Sequence, residues 1–265
     1  MLKYDAQALQ RLERMYNTPQ IREQRRRLRA IVAARPGERG LDIGCGAGHL
    51  SVELAAEVGT AGRIVAVDSS ADSVGVCRER VEREGCAAQV EVRQVDATTL
   101  DGAGDSFDFA VAAQVYSYVP DVARAVRQAA QALRPGGRLI VLDTDWDMCV
   151  WRSSEPQLSR RMAAARGAVQ FAHAHLPREL PRLLADAGLR LDDAQVIAIV
   201  ETTYDPESFG ANIIDGTCDA AREAGIAPGE IDAWAQDLRA RRDSGEWFFC
   251  LNRFVFTARR RLDER

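Results

Sequence analysis

The chain has 265 residues, of which 46% are hydrophobic and 28% are charged. Its 35 basic and 39 acidic side chains give a net charge of −4 at pH 7, which argues against a general nucleic-acid-binding protein. A chain of this length buries about 70–75% of its unfolded surface, so it needs neither a disulfide nor a metal ion to stabilise its core.

The sequence contains no pattern typical of export, membrane insertion or metal binding. Its first sixteen residues are polar and lack the apolar core of a signal peptide, and no apolar run approaches 18 residues. The six cysteines form no CxxC pair and have no metal-like spacing with histidine, so reduced thiols are expected. We therefore predict a cytoplasmic protein with no membrane partner and no metal site.

Residues 1–35 are predicted to form a basic, helix-prone leader that stops at Pro36-Gly37. The segment 25–29 reads RRRLR, in a chain whose only lysine is Lys3. Two interpretations stay open for the leader: a solvated helix face, or a lid over an anionic ligand.

From residue 39 onward, short apolar runs alternate with helical segments. The strands are expected at residues 39–44, 63–68, 88–96, 107–114 and 138–145. The helices between them are expected at residues 49–59, 70–85 and 120–137. This alternation predicts an α/β protein with a parallel, doubly wound sheet and right-handed crossovers.

The C-terminal part of the sequence is less regular. Residues 154–187 are expected to be helical with breaks at Pro177 and Pro181, and residues 206–243 are expected to be mostly helical. A long strand is expected at residues 189–204, and the alternation in EWFFCLNRFVFTARR at 246–260 indicates an edge or hairpin strand. Helical insertions near the last strands usually shape a substrate pocket.

The strongest motif is LDIGCGAG at residues 41–48, where the first strand meets the first helix. Glycines there allow a sharp turn and a close approach of backbone to ligand, and a helix N-terminus offers free N–H groups. A dinucleotide-binding fingerprint would need a third glycine at position 49, which is His49.

Acidic residues end the first three strands, and they point to a particular kind of ligand. Asp68 is placed to accept hydrogen bonds from ribose hydroxyls, Asp96 to contact an adenine amino group, and Asp42 to lie near an ammonium group. The carboxyl ends of parallel strands form the ligand-binding edge of open α/β sheets. So much negative charge suits a cationic sulfonium nucleoside better than a phosphate.

With these motifs, residues 36–145 resemble the class I S-adenosylmethionine (SAM)-dependent methyltransferases. The resembling segments are LDIGCGAG, IVAVDSS, QVDATTL, FDFAVAAQVYSYVPD and LRPGGRLIVLD. The sequences of these segments are most similar to those of the ubiquinone/menaquinone-type small-molecule methyltransferases. The resemblance implies a Rossmann-like sheet of seven mostly parallel strands with an antiparallel last strand, and SAM as cofactor with S-adenosylhomocysteine (SAH) as product.

The resemblance also implies roles for individual residues. The glycine turn would line the methionine portion of the cofactor, the second and third strand ends would bind the ribose and adenine, and Gln114 would face the methionyl end. The expected cofactor-binding residues are Asp42, Gly44, Cys45, Gly46, Asp68, Ser69, Asp96, Ala97, Gln114 and, from the leader, Tyr16.

The expected organisation is a helical lid at residues 1–35 and a methyltransferase domain at residues 36–265. Helical insertions at about residues 146–188 and 205–246 would form a cap over the substrate. A minimal member of the family would have only a short connection in place of the second insertion. The resemblance therefore does not identify the substrate.

Candidates for a general base are the histidines His173 and His175 and the acids Asp145 and Asp147, of which His175 and Asp145 are predicted as catalytic residues. Alternating acids in LDTDWDMCVW would share one face if the fifth strand continues through them. Aromatic side chains are expected to form the acceptor pocket, namely Tyr116, Trp146, Trp151 and Tyr204.

The sequence therefore predicts methyl transfer to an O, N or C atom of a small aromatic or heteroaromatic molecule, in secondary metabolism. Nucleic-acid or protein methylation through the arginine-rich leader is an alternative, although nucleic acid is not the expected partner. An arsenite-type methyltransferase using Cys149 and Cys218, and a non-catalytic SAM-binding protein, are further alternatives. The oligomeric state is left open, a homodimer included.

Overall fold

The computed structural model of the chain describes residues 13–100 and 106–262. The first twelve residues of the predicted leader therefore lie outside the described residues. Within the leader, residues 13–16 are helical, and α1 follows at Pro19–Val32. The leader is thus helical from residue 13, with a turn at residues 17 and 18.

Seven strands form one sheet in the order β3-β2-β1-β4-β5-β7-β6. The strands are β1 (Arg39–Ile43), β2 (Arg63–Asp68), β3 (Val90–Gln94), β4 (Phe107–Ala113), β5 (Leu133–Trp151), β6 (Leu189–Glu201) and β7 (Phe249–Arg260). The remaining helices are α2 (His49–Val58), α3 (Ala71–Arg83), α4 (Val122–Ala132), α5 (Pro156–Gln170), α6 (Leu176–Asp186), α7 (Phe209–Asn212), α8 (Ile214–Glu223) and α9 (Pro228–Ser244).

The predicted fold class is confirmed. Strand β1 pairs in parallel with β2 and with β4, β2 pairs with β3, and β4 pairs with β5. The sheet is mostly parallel and contains one antiparallel hairpin. Strands β1 and β2 are short and mostly buried because helices cover both faces of the sheet, as in other parallel sheets.

The junction between α4 and β5 differs from the prediction, which ended the helix at residue 137 and the strand at residue 145. The helix ends at Ala132, and Leu133 already pairs with Phe107 of β4. The next pair is Phe109 with Arg138, so the register shifts between the two pairs, and the Pro-Gly-Gly segment lies in this irregular stretch of β5. Gly136 there has a φ of +77°. The strand also continues to Trp151, so Asp145 lies within β5 and not at its end.

In the C-terminal part, the predicted position of the helix breaks was also wrong. The helical segment is interrupted at residues 171–175, where Ala174 O accepts from the Trp146 N–H at 3.0 Å, and not at its prolines. Pro177 lies in the first turn of α6, where a missing N–H costs no helical hydrogen bond. The prediction for residues 246–260 is an edge or hairpin strand; β7 lies between β5 and β6 and so is not an edge strand, and the sheet does contain one antiparallel hairpin.

The chain divides into two compact units. Of the described residues, unit 1 contains 13–24, 144–176 and 196–253, and unit 2 contains 25–100, 106–143, 177–195 and 254–262. A cluster of buried apolar residues, with Trp234 and Phe249 among the largest, forms the core of unit 1. The core of unit 2 is built on the central strands, where Ile43, Phe109 and Ile140 are fully buried. No described helix is long and apolar enough to cross a membrane.

We predict opposite effects for two glycine-to-alanine changes in unit 2. A Cβ at Gly40 of β1 would overlap the Phe109 ring and lie 2.9 Å from Ile64 Cδ1, whereas a Cβ at Gly75 of α3 would meet no atom within 4 Å. Gly40→Ala should lower the free energy of unfolding by about 1–3 kcal/mol through overpacking. Gly75→Ala should raise it by about 0.5–1 kcal/mol, because glycine destabilises a helix interior.

Urea denaturation of the two variants and the parent protein measures both effects. Equal unfolding midpoints for the two variants would contradict the close packing of β1 against β4.

Candidate active site

The turn after β1 is built from glycines in the left-handed region. Gly44, Gly46 and Gly48 have φ values of +68°, +52° and +79°. A Cβ on Gly44 would overlap the Val115 side chain, and one on Gly48 would lie 2.6 Å from Cys77 Sγ. Nothing lies within 4 Å of the corresponding position on Gly46. The outer two glycines are therefore required by packing, and the middle one leaves space beside the backbone.

Asp68, the last residue of β2, connects to this turn through its side chain. Its Oδ2 accepts a hydrogen bond from the Gly46 N–H at 3.0 Å, and its Oδ1 accepts from the Ser70 N–H at 2.9 Å. The Ser70 Oγ in turn caps α3 by accepting from the Ser73 N–H at 3.3 Å. Asp68 is half-buried and Ser69 is exposed. The carboxylate is thus held beside the glycine turn, as the prediction requires.

Asp96 follows β3 and organises the segment after it. Its Oδ1 accepts from both the N–H and the hydroxyl of Thr98, at 2.8 and 2.7 Å, and its side chain is exposed. Ala97, the residue between them, is half-buried. A carboxylate oriented by its own turn has less freedom to lose when a ligand amino group binds it.

Gln114 follows β4 in a strained backbone conformation. Its φ is +59°, which costs a non-glycine residue about 1–2 kcal/mol, and its N–H donates to Leu142 O at 2.8 Å. Tyr116 follows, fully buried, and its hydroxyl has no hydrogen-bond partner among the described residues. Burial raises the pKa of this hydroxyl. Backbone strain of this kind often accompanies functional sites.

Asp42 of β1 is buried, unlike Asp68, which is half-buried, and Asp96, which is exposed. Its Oδ2 accepts from the Ser51 hydroxyl at 2.5 Å. Burial, opposed by that hydrogen bond and reinforced by the charge of Asp68, raises the pKa of Asp42 to about 7. Ser51, on α2, is a residue that the sequence analysis missed, because a serine inside an apolar helix face gives no signal of its partner. The ammonium-binding role of Asp42 stays a prediction.

These residues fit a cationic nucleoside in their donor and acceptor chemistry. The carboxylates of Asp68 and Asp96 stand at the ends of neighbouring parallel strands, and the space beside Gly46 would admit a ligand next to the backbone. The structure brings Gly46 and Asp68 into direct contact. It places Tyr16, the remaining predicted cofactor residue, among the side chains that pack on the core of unit 1.

Unit 1 holds the predicted catalytic pair, and the two side chains are in contact. His175 Nδ1 lies 3.2 Å from Asp145 Oδ1 and 3.7 Å from Asp147 Oδ2. The Asp147 N–H also donates to Asp145 Oδ1 at 3.1 Å. Asp145 is 2% exposed, whereas the other two side chains are each 46% exposed. A buried carboxylate therefore holds an imidazole that is accessible to solvent.

This arrangement supports two kinds of chemistry. A histidine whose Nδ1–H donates to a buried carboxylate presents Nε2 as a proton acceptor, which is the geometry of an oriented general base. One ligand atom from each of the three side chains also lies within 4.8 Å of the others, a spacing at which they could hold a metal ion. No metal site is predicted from the sequence, and this grouping has no sequence signal because it depends on the loop at residues 171–175.

The predicted acceptor aromatics of unit 1 lie mostly in its core. Trp146 is buried and stacked on Phe171, with ring centroids 4.7 Å apart. Trp151 is buried and donates from Nε1 to Gly210 O at 3.4 Å. Tyr204 is half-buried and packs edge-on against Trp247, with centroids 5.1 Å apart. Tyr204 also lines a cavity of unit 1, and contact of all three side chains with an acceptor stays a prediction.

Arginines of the leader form ion pairs within unit 2. Arg25 Nε lies 3.2 Å from Glu53 Oε1, and Arg29 lies 3.1 Å from Glu53 and 2.8 Å from Glu57. Both acids belong to α2, so this end of the leader is attached to the helix that follows the glycine turn. Closure of the leader as a lid stays a prediction.

The raised pKa of Asp42 predicts how stability depends on pH. A carboxyl whose pKa is higher in the folded state than its ordinary 3.8 binds protons more strongly when folded, so its contribution to the free energy of unfolding falls as the pH rises from about 4 to about 7. Asp42→Asn keeps an oxygen for Ser51 and cannot ionise. The free energy of unfolding of the variant minus that of the parent should therefore grow by up to about 4 kcal/mol between pH 4 and pH 7.

Denaturant titrations at pH 4.5, 6 and 8 measure this difference, from which other titrating groups cancel. Ser51→Ala removes the hydrogen bond that favours the ionised form, so its loss of stability should continue to higher pH and be larger in total than that of the parent. Parallel profiles for the parent protein and Asp42→Asn would show that Asp42 ionises normally.

Comparisons with known proteins agree with this geometry. A family model described as a methyltransferase domain matches residues 34–188. The chain is 31% identical over 227 residues to an uncharacterized 37.1 kDa protein in transposon TN4556 of Streptomyces fradiae, a match that covers 85% of this chain and 63% of the relative. It is 37% identical over 109 residues to a ubiquinone/menaquinone biosynthesis C-methyltransferase of Cellvibrio japonicus, covering 41% of this chain and 44% of the relative.

The matches therefore span less than two thirds of the length of these relatives. Among solved structures, phosphoethanolamine N-methyltransferase 2 of Haemonchus contortus in complex with SAM has a TM-score of 0.61 at 19% identity, covering 97% of this chain and 58% of that one. Geranyl diphosphate C-methyltransferase of Streptomyces coelicolor has a TM-score of 0.57 at 16% identity, covering 90% and 78%. The chain belongs to the methyltransferase-domain family and has the class I methyltransferase fold.

Proposed function

We propose that this chain is a SAM-dependent methyltransferase that acts on a small aromatic or heteroaromatic acceptor. The observation that carries the proposal is the glycine turn after β1, with space beside Gly46 and the carboxylate of Asp68 held against it. The family membership and a structural neighbour in complex with SAM support the choice of cofactor.

The chain's own residues would bind the cofactor as follows. Asp68 would accept hydrogen bonds from the ribose hydroxyls, Asp96 from the adenine amino group, and the Ala97 N–H would donate to the ring. The backbone of the turn from Gly44 to Gly46 would lie along the methionine portion. When bound, SAM supplies an electrophilic methyl group next to a good leaving group. Strand-end carboxylates favour its positive charge, and orientation of the acceptor contributes up to about 7–11 kcal/mol.

The pair of His175 and Asp145 is proposed as the general base. With its Nδ1–H donating a hydrogen bond to Asp145 Oδ1, 3.2 Å away, His175 would present Nε2 to take a proton from the acceptor's O–H, N–H or C–H group. The buried carboxylate also stabilises the imidazolium ion that this transfer forms. A base in this role accelerates proton transfer by about 10²–10⁴-fold.

The proposed acceptor class draws on the relatives. The matched relative in Cellvibrio japonicus is named for C-methylation in ubiquinone/menaquinone biosynthesis.

The two alternatives from the sequence are less well supported. Arg25 and Arg29 are ion-paired and so are poor candidates for a nucleic-acid contact. Cys149 and Cys218 are buried, and burial raises the pKa of both thiols, which disfavours the thiolate that a metalloid would need.

Binding of SAH tests the cofactor site directly. Asp68→Asn should weaken SAH binding at least about tenfold in isothermal titration calorimetry, because hydrogen bonds to a charged acceptor contribute more than those to a neutral one. Asp72→Asn, an exposed acid in the first turn of α3, serves as the matched control and should bind within about twofold of the parent. If the parent protein does not bind SAH, the proposed function is wrong.

Turnover tests the proposed base with a panel of naphthols, hydroquinones and aromatic amines. His175→Gln and Asp145→Asn should lower kcat by about 10²–10⁴-fold with unchanged SAH affinity. His173→Gln, an imidazole removed from the same loop, should retain kcat within about threefold. Retention of full activity by His175→Gln, before and after treatment with EDTA, would exclude a role for the pair as base or as metal ligand.

A further inference from the structure

Unit 1 contains a cavity of about 620 Å³ that is formed by its own residues. Small-molecule sites commonly have volumes of about 300–1,000 Å³, so a molecule with one or two rings would fit. The lining residues are Arg14, Met15, Arg166, Gln170, Tyr204, Pro206, Ala211, Asn212, Ile213, Ile214, Asp215, Gly216, Asp219, Leu238 and Arg239. None of the cofactor-binding residues is among them.

The apolar part of the wall comes from helices of the second predicted insertion. Ile213 and Ile214 lie at the start of α8 and are buried, as is Leu238 of α9. Met15 from the leader packs on the same core, and Tyr204 adds an aromatic ring whose position is fixed by its edge-on contact with Trp247. This surface suits the body of an apolar or aromatic molecule.

Three arginines give the polar part of the wall a positive character. Arg166 is anchored, because its Nη1 donates to Ile213 O at 3.3 Å and its guanidinium lies 5.0 Å from the centre of the Trp146 ring. Arg14 and Arg239 are exposed, and neither forms an ion pair within the described residues. Guanidinium groups bind carboxylates and phosphates well because their N–H groups match the geometry of these anions.

The two acids that also line the cavity do not cancel this charge. Asp219 forms an ion pair with Arg222 at 2.6 Å, and Arg222 does not line the cavity. Asp215 lies in the first turn of α8, where the helix dipole favours a negative charge. Three guanidinium groups therefore line the cavity together with one carboxylate, that of Asp215, which has no ion-pair partner in the described part of the chain. The charge of the lining is positive overall.

We propose that this cavity binds a small organic anion with an apolar or aromatic body. The body would pack against Met15, Ile214 and Leu238, and the anionic group, a carboxylate, sulfonate or phosphate, would interact with Arg14 and Arg239. The proposal concerns binding alone, and it does not depend on the methyl transfer proposed above.

Two probes that differ only in charge test the proposal. The probes are 2-naphthoate and 2-naphthamide, which share the same ring system, and their binding to the full chain is measured by equilibrium dialysis at pH 7.5. The naphthoate should bind about tenfold more tightly than the amide, and its affinity should fall between 50 and 500 mM NaCl while that of the amide does not. Equal affinities for the two probes would overturn the proposal.

Substitutions locate the binding. Arg14→Gln and Arg239→Gln combined should weaken naphthoate binding about five- to tenfold and leave amide binding within twofold, since two exposed charge contacts are lost. Arg160→Gln removes an exposed arginine of α5 that does not line the cavity, and it should match the parent. All three side chains are exposed, so the variants should unfold at the parent's midpoint. An equal response of the double variant and the Arg160 control would also overturn the proposal.

A separate measurement distinguishes this site from the proposed cofactor site. The double variant should bind SAH like the parent protein, and Asp68→Asn should bind naphthoate like the parent protein. Loss of naphthoate binding in Asp68→Asn would place the anion at the cofactor site and contradict the proposal.

Discussion

The tight turn between β1 and α2 is the constraint on which the candidate cofactor site depends. Gly44 lies against Val115, and Gly48 against Cys77 of α3, so any side chain at either position would displace a neighbouring element. The left-handed φ values at these glycines then orient the Gly46 N–H toward the Asp68 carboxylate, 3.0 Å away. A single turn thus fixes β1, β2 and α3 relative to one another and leaves backbone accessible to a ligand.

Around this turn, burial gives similar acids different properties. Asp42 and Asp68 end adjacent parallel strands, but Asp42 is buried and its pKa is raised to about 7, while Asp68 is half-buried and held by two backbone N–H groups. A buried carboxyl near neutrality can change its charge in response to its surroundings, whereas a hydrogen-bonded one at the surface stays available as an acceptor. Burial therefore lets Asp42 change its charge near neutral pH, while Asp68 accepts hydrogen bonds from the backbone.

Unit 1 uses its side chains in a different way. Most of its large aromatic residues form a packed core, in which Trp151 meets Trp234 and Phe249. Its polar groups include the contact of His175 with Asp145 and the cavity that is lined by Arg14, Arg166 and Arg239. A rigid apolar core keeps such polar groups in position because close-packed side chains have few alternative arrangements.

The sequence by itself determined the fold class, most strand positions and the glycine turn with Asp68, because periodicity and turn chemistry are local properties. It did not determine that β5 extends to Trp151, since that depends on pairing beyond the Pro-Gly-Gly segment. It named His175 and Asp145 as separate candidates, and only the tertiary structure brought them to 3.2 Å, because they come from a strand and a loop 30 residues apart. The cavity was likewise decided by tertiary packing, which collects arginines from positions 14, 166 and 239 that no spacing in the sequence connects.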